Sequence, residues 1–179
     1  MKALFRKSIS IALAVAAITL ATDLVQAQRQ RPRGTASLGE MNCQKITDRA
    51  SYSVINQDVP IGLEIFKAVA YLGNGPTYLE ESGQVACRLA AQGEKPKFRT
   101  LTLGFGLPDN NHNSKGALVR LSIYKDGNFF EYRDVTAGQK LLWPINVTNV
   151  RSIALEAECK RRSSGNYCPA LYFYQDILE

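Results

Sequence analysis

The chain of 179 residues has few side chains that could do chemistry. Its single histidine, His112, lies in LPDNNHNSKG, Leu107 to Gly116, with Asp109, Asn111 and Asn113 at alternate positions around it. A Ser-His-Asp triad would need His112 as its base. Its neighbours Asp109 and Ser114 belong to the same short stretch, whereas such sites are assembled from separate elements. No G-x-S-x-G elbow occurs. Glycoside chemistry would need two positioned carboxylates. Glu156 and Glu158 alternate outward on one strand, and Glu80 and Glu81 precede a Ser-Gly turn; both pairs read as solvated surface. No catalytic activity is expected. The spacing of Asp109, Asn111 and Asn113 matches the opening of an EF-hand loop. Ser114 stands where that loop needs glycine, and Arg120 where it needs a bidentate glutamate. A calcium site of another kind, built from these three side chains and nearby carbonyls, is the one metal expectation. No other cofactor is expected.

The N-terminus bounds where the protein works. Lys2, Arg6 and Lys7 precede an apolar run, Ile9 to Leu20, and small residues around Val25 and Ala27 form an A-x-A-like cleavage pattern. Residues 1–27 read as a signal peptide. Its apolar run falls short of the about 20 residues that span a bilayer, so no stable membrane span is expected after cleavage. The expected location is secreted or periplasmic. Residues 28–40, with Arg29, Arg31, Arg33, Pro32 and Gly34, read as a flexible basic arm, and the folded domain is expected over 41–179. The net charge of +6 includes a leader of three bases and one acid, which leaves +4. That mild excess gives no reason to expect a nucleic-acid partner.

Cys43, Cys87, Cys159 and Cys168 make an even count, which in an exported chain reads as two disulfides. Three connectivities are possible; Cys159–Cys168 with Cys43–Cys87 is favoured. The spacings are unlike C-x-x-C and disfavour zinc.

The elements that must position these residues are strands. In FRTLTLGFGL, Leu101, Leu103, Phe105 and Leu107 share one face; in ALVRLSIY, Ala117, Val119, Leu121 and Ile123 do. Asp126-Gly127 has the chemistry of a two-residue type I′ turn. That turn sets Lys125 opposite Asn128, Ile123 opposite Phe130 and Leu121 opposite Tyr132, with Tyr124 and Phe129 facing each other on the side away from Ile123. In RSIALEAECK, Ile153, Leu155, Ala157 and Cys159 share a face. SYSVI and QVACRL read as strands, ALYFYQDIL as an aromatic-rich one, and GLEIFKAVAYL fits either a short helix or a strand. No long amphipathic helix is present. Many short strands imply an antiparallel sandwich or barrel.

The order VACRL, FRTLTLGFGLPDN, VRLSIYKDGNFFEYRDV, LLWPINVTNVRSIALEAE, ALYFYQDIL resembles the NPCBM-type carbohydrate-binding modules that accompany glycoside hydrolases. The matching positions are Asp109 after a Gly-rich strand, Tyr124 to Gly127, and Pro144, Val147, Val150 and Ile153. The likeness covers about residues 60–178. It implies a single-domain, all-β antiparallel jelly-roll sandwich of the galactose-binding-domain type and a non-catalytic role on cell-surface or extracellular glycan. The alternative is a structural or protein-interaction domain of the cell envelope. A sugar site needs an aromatic platform beside planar polar groups. Tyr124 and Phe129 are the expected exposed pair, Tyr132 and Trp143 the expected core, and Asp109, Asn111 and Asn113 the ligand or calcium loop.

Overall fold

The computed structural model describes residues 34–48, 50–75, 78–110 and 113–179. The signal-peptide reading, the arm up to Arg33, and two site candidates, Asn111 and His112, lie outside the described residues. In chain order the elements are β1 Ala36–Ser37, a 3-10 turn Leu38–Glu40, β2 Asn42–Lys45, β3 Ser51–Ile61, β4 Glu64–Gly73, β5 Ser82–Arg88, β6 Thr100–Gly106, β7 Leu118–Lys125, β8 Asn128–Thr136, β9 Lys140–Asn146, β10 Ser152–Arg161 and β11 Leu171–Leu178. They form two antiparallel sheets, one ordered β3-β4-β11-β6-β9 with β1 beside β11, the other β2-β5-β10-β7-β8. This is the all-β jelly-roll sandwich.

Period-two alternation builds the interior. Leu101, Leu103 and Phe105 of β6, Val119, Leu121 and Ile123 of β7, and Ile153, Leu155 and Ala157 of β10 are fully buried between the sheets, with Phe173 and Trp143 among them. Both disulfides are present, Cys43–Cys87 across β2 and β5 and Cys159–Cys168 around the last loop. GLEIFKAVAYL resolves as β4. Gly62, at φ +64°, opens the tight turn from β3, and the two strands pair along nearly their whole length. A pairing partner supplied by the turn decides what periodicity left open.

Ala36 to Glu40, assigned by composition to the arm, belong to the sandwich. Ala36 and Ser37 pair with Leu178 and Ile177, and Leu38 is fully buried. The buried carboxylate of Asp176 holds the segment in place. It accepts from Ser37 Oγ at 2.7 Å, Gly39 N at 3.1 Å and Tyr52 Oη at 2.9 Å, as a buried acid must be satisfied. Burial, then the Asp176 charge and hydrogen bond, push the Tyr52 phenol well above its ordinary range.

The β7–β8 hairpin corrects a second expectation. Asp126 and Gly127 take φ values of +48° and +82°, and Lys125 opposes Asn128 and Tyr124 opposes Phe129, as the turn requires. The ladder then shifts by one: Ile123 opposes Glu131, Ser122 opposes Tyr132 and Leu121 opposes Arg133. Phe130 is the extra residue of a β-bulge, and a bulge inverts the facing of everything beyond it. Tyr132 therefore leaves the expected core and stands 44% exposed. Glu131 and Arg133 turn to the inner side at the sheet edge. They pair there, with the Arg133 guanidinium 4.7 Å from the Trp143 ring. Trp143 is buried, as expected.

The outer face of the first sheet is covered over its β3-β4-β11 side. A bulge in β3 between Val54 and Gln57 lets the β3–β4 hairpin bend. Its far half packs Val59, Ile61 and Ala68 with Tyr172 into a second, smaller core, flanked by Phe66 and Tyr174. Tyr174 lies on Gly104 and donates to Leu141 O at 2.8 Å. Lys140 pairs with Glu64 at 2.5 Å across the gap.

Candidate functional site

Among the described residues, the outer face of the second sheet has no such cover. Register brings three rows of outward side chains together. Ala86, Ala154, Tyr124 and Phe129 form one, Gln84, Glu156, Ser122 and Tyr132 the next, and Ser82, Glu158, Arg120 and Asp134 the third. In the first row Tyr124 meets Phe129 edge-on, ring centroids 5.7 Å apart, and Phe129 is 58% exposed. Tyr124 donates to Glu156 Oε2 at 2.6 Å, and Gln84 Nε2 donates to Glu156 Oε1 at 2.6 Å. The hydrogen bond to Glu156, and then burial, push the Tyr124 phenol up to about 12. A neutral phenol, an amide and a carboxylate are thus locked side by side. Ala154 supplies a small residue beneath them, and Ile46, Tyr124, Gln84 and Glu156 wall a depression of about 220 Å³ over it.

The turn that places Tyr124 is itself pinned. Asp126 Oδ1 accepts from Arg151 N at 3.0 Å and Ser152 N at 2.8 Å, and Asp126 N donates to Ser152 O at 3.0 Å. The aspartate of the Tyr-x-Asp-Gly match therefore ties the hairpin to the start of β10.

Further along, Arg120 donates through Nε and Nη2 to both oxygens of Asp134, at 2.8 and 2.9 Å, and its guanidinium lies 3.7 Å from the Tyr132 ring centroid. The Arg120 hydrogen bond holds the Asp134 carboxyl below its ordinary value, and its effect outweighs the opposing cost of burial. Lys160 pairs with Glu158 at 2.8 Å. Beyond them lies a wider cleft of about 580 Å³, lined by Glu81, Glu156, Glu158, Lys160, Arg161 and Arg162 among others.

The loop candidates sit elsewhere. Asp109 and Asn113 precede β7, whereas Tyr124 and Phe129 lie at its far end beside the hairpin turn. Seven residues from Ala117 to Tyr124 at about 3.3 Å each put roughly 23 Å between them. The two candidate sets are not one site. The Asp109 carboxylate lies against Gly138, where an added methyl would come 2.9 Å from Oδ2. Asn113 Oδ1 is buried without a hydrogen-bond partner, an acceptor that a cation would satisfy. Against that, among the described residues no group of three or more His, Cys, Asp or Glu gathers as a metal site would, and hard cations favour several charged oxygens. Glu156 and Glu158 hold hydrogen-bonded or ion-paired places. Glu156, Gln84 and Arg120 are not among the binding residues the sequence points to, and Tyr132 is expected in the core. Outward alternation marked Glu156 and Arg120, but only cross-strand register shows what they meet.

No protein-family model matches the sequence, and no curated protein matches it. Solved structures do. A CBM51 module from a Clostridium perfringens GH95 protein, solved with methyl-galactose, aligns over 81% of this chain and 99% of its own, with a TM-score of 0.55 and 11% identity. The CBM51-2 and INT domains of Clostridium perfringens ZmpB, solved with GlcNAc, align over 81% of this chain and 31% of theirs, with a TM-score of 0.56 and 10% identity. The likeness is one of fold. The chain shares the β-sandwich of these modules.

Proposed function

We propose that this is an exported carbohydrate-binding-module-like protein without catalytic activity, which holds cell-surface or extracellular glycan on the open outer face of its β2-β5-β10-β7-β8 sheet. The observation that carries the reading is the edge-on pair of half-buried Tyr124 and exposed Phe129 beside the Gln84–Glu156 hydrogen-bonded couple. A pyranose turns C–H groups of one face to an aromatic ring and its hydroxyls to planar polar groups. A concave site with a few convergent polar groups is the usual form of a small-ligand pocket. The fold shared with modules solved with methyl-galactose and GlcNAc supports the ligand class. Two disulfides support an oxidising location outside the cytoplasm. The loop of Asp109, Asn111 and Asn113 is the second place for a ligand contact or a calcium ion.

A glycan array probed with and without calcium tests this. Binding is expected to at least one glycan class, and replacing Tyr124 and Phe129 together by alanine should abolish it while the protein stays folded. Silence on the array under both conditions would remove glycan binding. Undiminished binding by the double variant would remove this face. A calcium requirement lost in Asp109→Ala would assign the loop.

The second reading, an envelope interaction domain without a sugar site, is favoured by the β3–β4 hairpin. Leu63 at its tip is fully exposed, Ile65 is 77% exposed, and β3 is an edge strand. A silent array together with loss of envelope association in Leu63→Asp would support it.

A further inference from the structure

The two depressions on the open face share Glu156. Both lie along one stretch of the outer face that follows β10 from Ala154 to Arg162. Six residues from Ala154 to Lys160 at about 3.3 Å give this stretch roughly 20 Å of length, more than one sugar ring occupies. Its two ends differ in chemistry. The Ala154 end is walled by Ile46 and Tyr124 and carries no basic side chain in its lining. The far end is lined by Lys160, Arg161 and Arg162.

The basic end owes its form to a bulge. Alternation along β10 would put Arg161 on the core side with Ala157 and Cys159. The ladder shifts between Cys159 and Arg161, so that Arg161 opposes Leu118 of β7, which lies in the outward row with Arg120. Lys160 and Arg161 consequently both reach the outer side. Lys160 is neutralised by Glu158 at 2.8 Å. Arg162 stands 3.8 Å from Glu81 and donates Nη1 to Asn166 O at 3.3 Å. Arg161 donates Nε to Gly116 O at 2.7 Å and forms no ion pair among the described residues. That bond fixes the base of the guanidinium and leaves its two terminal nitrogens for a ligand. A guanidinium fork recognises a planar or tetrahedral oxyanion.

Resting on the glycan reading above, we propose that this stretch takes an oligosaccharide of mixed charge: a neutral unit against Tyr124 and Ala154, and a singly charged anionic unit, uronate or sulfate ester, at Arg161. The middle of the stretch carries Glu156 and Glu158, which repel negative charge. A uniformly anionic chain is therefore disfavoured, and one charged unit next to neutral ones is the match.

The test measures affinities by calorimetry for three tetrasaccharides of one neutral backbone: one with a terminal hexuronic acid, the same compound after carboxyl reduction, and a terminally sulfated one. The wild-type protein should bind at least one charged form roughly tenfold more tightly than the reduced form, as charge-assisted hydrogen bonds do. Which charged form wins identifies the group. Arg161→Gln should erase that preference and leave affinity for the reduced form unchanged, while Arg161→Lys should keep part of it. Tyr124→Ala should weaken all three together. Equal binding of charged and reduced forms by wild type would overturn the mixed-charge proposal and leave the glycan reading standing, as would a preference that survives Arg161→Gln. No binding of any of the three, with a silent array, would remove both. Thermal unfolding of each variant guards against loss of fold.

Discussion

The two sheets present outer faces of opposite character. On the β3-β4-β11-β6-β9 sheet, Gly104 and Gly106 leave room that Tyr174 and Ile61 fill, and the bent β3–β4 hairpin closes over them as a second core. On the other sheet, small residues such as Ala154 leave comparable room, and no segment of the described chain covers it. Its rims are Tyr124, Gln84 and Glu156 together with Ile46. A sealed face stabilises by burial. An open one made of mutually satisfied polar and aromatic groups is poised to exchange water for a ligand's hydroxyls. A small residue on a strand is thus ambiguous by itself, since it makes a packing socket or a binding floor according to what lies above it.

Breaking this contrast begins with the covalent tie. At its β2 edge the open sheet has no hairpin, and Cys43–Cys87 holds β2, and with it the Ile46 wall, to β5. The pair of substitutions Cys43→Ala and Cys87→Ala should cost about 4 kcal/mol on chain-entropy grounds for a separation of 44 residues. Removing Cys159–Cys168, with a separation of 9, should cost roughly 2.5–3 kcal/mol by the same relation. Urea unfolding of the two variants should rank them so, and equal losses would mean the edge is held some other way. Next comes packing. Gly104→Ala drives a methyl into the Tyr174 ring and should cost about 1–3 kcal/mol, whereas Phe129→Ala on the open face should stay within about 1 kcal/mol. Comparable midpoint shifts would contradict one sealed and one open face. The smallest effect is electrostatic. Tyr124 has a raised pKa, about 12, against about 10 in the unfolded chain. The stability it contributes is therefore complete below pH 10 and lost as pH rises from about 10 to 12. The ultraviolet phenol titration of wild type minus that of Tyr124→Phe should isolate this phenol from the other late one, Tyr52, and in the Glu156→Gln background the same difference should move back toward the ordinary range. A difference that stays late in that background would dissociate Tyr124 from Glu156.

Much of the sandwich was legible because its signals are local. Alternation marked the inward faces of β6, β7 and β10, and Asp126-Gly127 specified a turn whose backbone angles the chain adopts. Tyr124 opposite Phe129 followed from that turn alone. Legibility stops at the bulges. One unpaired residue, Phe130, reverses every later facing in β8, and no composition marks it, so Tyr132 moves from expected core to open surface. The same shift at the end of β10 brings out Arg161. Leu38 was hidden by its polar company, because burial of one apolar residue in a basic arm depends on the distant Asp176. The Asp109–Asn113 loop and the Tyr124–Phe129 pair each carry a ligand-binding expectation. They lie at opposite ends of β7, a separation that depends on strand direction and not on residue type.

By itself the sequence determined the class of fold, the inward residues of its regular strands, the hairpin turn and the number of disulfides. Each of these follows from side-chain period, turn sterics or cysteine count. Only the tertiary structure decided which sheet face is covered, which rows of side chains meet, and where Tyr132 and Arg161 point. Those depend on register and bulges between strands far apart in the chain. A one-residue shift there changes nothing in the sequence pattern and reverses which side of the sheet a residue serves.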